Sequence, residues 1–208
     1  MMMQIARVSR WVRFLMIALA VAICGGASRT LIRANTPHAG HEHAMTPQPP
    51  LTAEQVAAAN ALVQIVREAT GPFQSPERLP RGFNLMFGCV SGGEFGAMGL
   101  HYVNLALVGD GLIEPSTPEI VLYEPTPDGG KVLTGADYLV LAADWDAKHP
   151  NDPPQLGGQL FHFFESPNRF GLPAFYTLHV WAWKDNPNGT FTNWNPTVSC
   201  DGFNGRQP

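Results

Sequence analysis

The chain has 208 residues, 45% of them hydrophobic and 14% charged, with a formal charge of −4. A mildly acidic chain with no run of lysines or arginines is a poor partner for nucleic acid or an anionic membrane surface, and both are excluded as expected partners. The composition is that of a globular protein, long enough for one ordinary domain with its own core.

The first 27 residues read as a signal peptide. Arg7, Arg10 and Arg13 make a basic start without an acid, and Phe14 to Cys24 is apolar. That run is of signal-peptide length, roughly 7–15 residues, and short of the ~20 that span a bilayer. Gly25 and Ala27 offer small side chains to a peptidase, which places cleavage after Ala27. Cleavage moves the charge to −7, with 10 basic residues against 17 acidic. The expectation is export to the periplasm or the extracellular medium, with no stable membrane insertion afterwards. The sequence is silent on oligomeric state.

Residues 28–50 read as a linker rich in proline and histidine, with Pro37, Pro47, Pro49 and Pro50 and no apolar periodicity. His38, His41 and His43 are either a loose site for a transition-metal ion or a solvated tail. Residues 51–208 are expected to form one globular domain.

A helix follows. Thr52 is a good N-cap, Gln55 completes a capping-box pattern, and Val56, Ala59, Leu62, Val63 and Val66 make one apolar face. Gly71-Pro72 ends it. From residue 83 the pattern changes to strands, predicted over 83–89, 99–107, 119–123, 131–142, 159–164 and 174–184. Asp128-Gly129-Gly130 predicts a hairpin turn. The predicted fold is mostly β (α+β), an antiparallel sheet or partly closed β-barrel with one N-terminal helix. After export Cys89 and Cys200 should pair into one disulfide, joining the start of the domain to its end.

Histidines inside strands are the first candidates for chemistry. His101, His162 and His179 from three strands, with Glu94 or Glu124 completing the shell, would fit one Zn, Cu or Fe ion. Glu94 lies in a glycine-rich loop before the His101 strand, Glu124 ends a strand, and Glu165 is a third carboxylate. No HxH or HExxH spacing supports the set, so separate structural histidines are the other reading. Alternation puts Phe175, Thr177, His179, Trp181 and Trp183 on one face of the last strand, and Tyr176, Leu178, Val180 and Ala182 on a core face. Trp181 and Trp183, with Tyr102 and Asn104, are candidates for binding a small ligand or a glycan through an aromatic surface; the other reading is plain core. No Gly-x-Ser-x-Gly elbow is present, and oxidised cysteines are not nucleophiles. Three functions stay open: a pocket for a metal or small molecule, a binding module for a glycan or protein, and a structural envelope protein.

The strings Met98-Gly99-Leu100-His101-Tyr102-Val103-Asn104, Leu178-His179-Val180-Trp181-Ala182-Trp183 and Trp194-Asn195-Pro196 to Cys200 resemble an uncharacterised family of exported bacterial proteins, over roughly residues 52–203. Leu122-Tyr123-Glu124-Pro125 and Gly157-Gly158-Gln159-Leu160-Phe161-His162 are similar too. The resemblance implies one intact exported domain with His101, Glu124, His162 and His179 inside its motifs. The family has no established activity, so no substrate or reaction follows.

Overall fold

The computed structural model describes residues 50–205, so the expected signal peptide and nearly all of the expected linker lie outside the described residues. Helix α1 runs Ala53–Thr70. Its capping box is complete: the Gln55 N–H donates to the Thr52 hydroxyl and the Thr52 N–H donates to Gln55 Oε1. Leu62, Val66 and Thr70 are the buried positions of the helix, one stripe at helical spacing.

The strands are β1 (Phe83–Ser91), β2 (Ala97–Asn104), β3 (Ile120–Pro125), β4 (Lys131–Leu141), the two-residue pair β5 (Gln155–Leu156) and β6 (Gln159–Leu160), β7 (His162–Phe164) and β8 (Phe175–Val180). Six of them form an antiparallel sheet in the order β1-β2-β3-β4-β8-β7, curled into a half-barrel. Two short helices, α2 (Leu105–Val108) and α3 (Ala142–Asp146), follow β2 and β4. The strand expected over 99–107 therefore stops early, because the Asn104 side chain accepts from the Ala106 N–H and caps α2. The strand expected over 159–164 is broken into β6 and β7. Between β3 and β4 the Thr126 N–H donates to the Gly130 carbonyl, closing the expected turn.

Both faces of the sheet are covered. On one, Leu62 and Val66 of α1 pack on Ala136, Tyr138, Leu178 and Val180. Fully burying one such aliphatic side chain contributes ~1.5–3 kcal/mol. The same face continues to Leu100, Tyr123, Trp181 and the Cys89–Cys200 disulfide. The opposite face carries Val103, Ile120, Leu122, Leu139 and Phe175, and the polar cluster lies among these.

Two irregularities in the β1–β2 pairing frame that cluster. Phe87 and Gly88 are extra residues between the pairs Met86–His101 and Cys89–Leu100. Both adopt positive φ, 65° and 64°, and a bulky residue there is an outlier of the kind found near functional sites. Met98 is extra between Val90–Gly99 and Ser91–Ala97. Bulges of this kind re-aim a side chain.

Candidate metal centre

His101 on β2, Asp137 on β4 and His179 on β8 meet on the face of the sheet opposite the one that α1 covers. One ligand atom from each lies within 4.8 Å of the other two. Pairing explains the meeting: Asp137 is the register partner of both Ile120 on β3 and His179 on β8, and side chains directly opposite share a face. The three are 4%, 2% and 2% exposed, so all their polar atoms need partners inside the protein.

His101 has one. Its Nδ1 lies 3.1 Å from the carbonyl of Gly99, which makes Nδ1 the protonated nitrogen and leaves the Nε2 lone pair free. A backbone carbonyl on the far nitrogen is the usual device for orienting a metal-binding imidazole. His179 has none. Both of its ring nitrogens are buried without a hydrogen-bond partner, although Nδ1 is 3.3 Å from Asp137 Oδ1. Asp137 is held from the other side, where the Thr177 hydroxyl donates to Oδ1 at 2.5 Å. The imidazole rings of His101 and His179 meet edge to face, 5.6 Å between centroids.

Burial sets the charges. It lowers His101 from 6.5 to about 4, with the Gly99 carbonyl acting in the opposite sense. It drives His179 well below its ordinary value, and repulsion from His101 and His162 adds to this. It raises Asp137 from 3.8 to about 8 against the hydrogen bond from Thr177, and the nearby Glu119 carboxyl pushes the same way as burial. Close as Asp137 and His179 are, burial disfavours the charged form of both. The site holds two neutral imidazoles with available lone pairs and one carboxyl group. That is a donor set for a metal cation, whose charge would offset the cost of ionising Asp137 in the interior.

A small cavity of ≈ 20 Å³ adjoins the three. A water molecule needs roughly 10–15 Å³ by this measure, so there is room for one ion or one water. Apart from Thr177, the rest of its wall is apolar, with Phe87, Met98, Phe164, Phe170 and Phe175 among its residues. Phe87 meets Phe170 edge to face at 5.4 Å, and Phe164 stacks on Phe175 at 5.0 Å.

The remaining candidates from the sequence lie elsewhere. His162 is exposed, on the edge strand β7. Its register partner is Thr177, so it shares the face of the cluster without joining it. Glu94 is exposed in a 3-10 turn at Gly93–Phe95. Glu124 is committed to an ion pair with Lys184 and accepts from the Ser199 N–H, which ties down the segment before Cys200. Glu165 is exposed in the loop after β7. The carboxylate beside the histidines is Asp137 and neither Glu94 nor Glu124, because only position 137 pairs across from His179.

The proposed aromatic surface is divided. Trp181 is buried in the core, and its indole N–H donates to the Thr192 carbonyl. Trp183 is 41% exposed and donates to the Thr70 hydroxyl. Tyr102 packs edge-on against Tyr123, and Asn104 caps α2.

Asp137 carried a signal that sequence reasoning passed over: a lone acid within the strand run Leu133 to Leu141, where a charge has no place unless it has a partner. No family model, curated protein or solved structure matches this chain.

Proposed function

We propose that this is an exported domain that binds one transition-metal ion through His101, His179 and Asp137. The observation that carries the reading is His179, whose two ring nitrogens are fully buried and lack any hydrogen-bond partner. Leaving buried polar atoms unpaired costs about 1–3 kcal/mol each, and a bound cation would satisfy one of them directly. Two imidazoles and one carboxylate suit Zn²⁺, Fe²⁺ or Cu²⁺, and the adjoining cavity is of a size for a single ion. Export is supported by the disulfide, by the signal-peptide pattern and by the resemblance to exported bacterial proteins. Among the described residues no helix is long and apolar enough to cross a membrane.

The test is metal content by inductively coupled plasma mass spectrometry. The protein is the mature chain with His38, His41 and His43 changed to alanine, so that the tail collects no metal of its own. The expected result is about one equivalent of a transition metal per chain, lost in His101→Ala and in His179→Ala. No binding after incubation with Zn²⁺, Fe²⁺ or Cu²⁺ would overturn the reading and leave the histidines structural.

A further inference from the structure

Resting on that reading, we propose that Met98 supplies a thioether ligand to the same ion, and that the ion the site selects is copper, held as Cu(I). Strand alternation would send Met98 and His101, three positions apart, to opposite faces. The bulge prevents this. Met98 is the residue left without a partner on β1, between Val90–Gly99 and Ser91–Ala97, and it turns into the cavity that His101, Asp137 and His179 also line.

The bulge is built to stay. Gly99 has φ +86°, and a Cβ there would stand 2.5 Å from the carbonyl oxygen of Tyr123, so only glycine fits. The Gly99 carbonyl is also the group that orients His101. One two-residue device therefore brings Met98 to the cavity wall and sets the tautomer of an imidazole. Met98 is 2% exposed and belongs to none of the three apolar clusters of the core.

The donor chemistry then points to the metal. Two neutral imidazoles and a thioether form a soft to borderline set, and soft sulfur ligands select Cu(I) over hard divalent ions. The described thiols are spent, since Cys89 and Cys200 are joined in the disulfide. That leaves thioether as the soft donor at this place. Cu(I) accepts low coordination numbers, which suits a site with room for a single small occupant. Asp137, the remaining donor of the set, contributes negative charge at the ion.

The experiment uses the mature chain with the three tail histidines replaced by alanine. Cu(I) affinity is measured by competition with a chromophoric Cu(I) chelator, Zn²⁺ affinity by a chromophoric Zn²⁺ chelator, and the Cu(I) shell by X-ray absorption. Met98→Leu keeps volume and hydrophobicity, and its thermal midpoint reports folding. Met86→Leu is the matched control, because Met86 pairs with His101 in the β1–β2 register but is not part of the cavity wall. The expected results are a sulfur scatterer in the parent protein that vanishes in Met98→Leu, and a fall in Cu(I) affinity of about tenfold or more with little change for Zn²⁺. Met86→Leu should match the parent in all three measurements. A parent spectrum without sulfur, or Cu(I) affinity unchanged in Met98→Leu, overturns the assignment of Met98 while the metal site itself stands. A parent protein that takes up neither ion removes the site, and this assignment with it.

Discussion

His179 Nδ1 stands 3.3 Å from Oδ1 of its cross-strand partner Asp137, yet the two share no hydrogen bond. The same oxygen accepts from Thr177, and burial keeps both partners away from their charged forms. The pair is in place for a third party. Asp137→Asn preserves shape and an acceptor for Thr177 while removing the negative charge. Metal affinity should fall about 10–100-fold. The metal-free protein should be as stable as the parent or more so, because a buried carboxyl group is gone. Parallel metal titration and thermal unfolding check both, and undiminished affinity would exclude Asp137 from the site.

His162 separates a site of two histidines and one aspartate from a site of three histidines. It is exposed on the edge strand, so His162→Ala should change equilibrium metal affinity by no more than about twofold, the scale of an ordinary surface substitution. Loss of binding comparable to that of His179→Ala would make it a ligand.

Gly99→Ala tests the bulge. Positive φ and the contact with the Tyr123 carbonyl together should cost about 2 kcal/mol or more, and binding should weaken as His101 loses its orienting carbonyl. Gly93 is the control, because it has φ +62° but open space where a Cβ would go. Gly93→Ala should cost only about 1–2 kcal/mol and leave binding intact. Denaturant titration of both variants decides the matter, and equal behaviour would contradict the role given to the bulge.

The disulfide closes a loop with a sequence separation of 111. In the chain-entropy account, a loop of that size is worth about 4–5 kcal/mol. The double variant Cys89→Ala, Cys200→Ala should lose stability on that scale in denaturant unfolding. A loss under about 1 kcal/mol would show that Glu124, through Lys184 and Ser199, holds the end of the chain unaided.

Glu119 gives the metal-free protein a pH dependence. Burial raises its carboxyl from 4.5 to about 7, opposed by the Leu139 N–H and reinforced by the Asp110 charge. The folded state therefore keeps a proton that the unfolded state releases. This contribution is fully present below pH 4.5 and is lost as pH rises through about 7, a decline of about 3 kcal/mol. Because the histidines and Asp137 titrate too, the readout is the difference between the parent and Glu119→Gln across pH 4 to 8. That difference should shift in favour of the glutamine variant as pH rises, and a flat difference would refute the buried acid.

The helix and its capping box, the hairpin turn at Asp128-Gly129-Gly130 and the Cys89–Cys200 pairing were all legible in the chain itself. The first two depend on local chemistry, a cap three residues from its partner and a glycine in a tight turn; the third follows from Cys89 and Cys200 being the two cysteines after residue 27. Alternation also placed His179 with Thr177 and Phe175 on one face of the last strand, where the structure has them. It carried Trp181 along with them, whereas β8 ends at Val180 and Trp181 packs with Leu100 and Tyr123 on the opposite face. What alternation does not supply is which strands are neighbours, or where a bulge resets the count. Asp137 therefore passed for one polar residue in an apolar strand until pairing set it opposite His179. Alternation by itself would put Met98 on the face away from His101, but as the residue left unpaired on β1 it lines the same cavity. Side-chain period within a strand is a property of the local backbone, whereas register between strands is decided by the packing of the whole sheet.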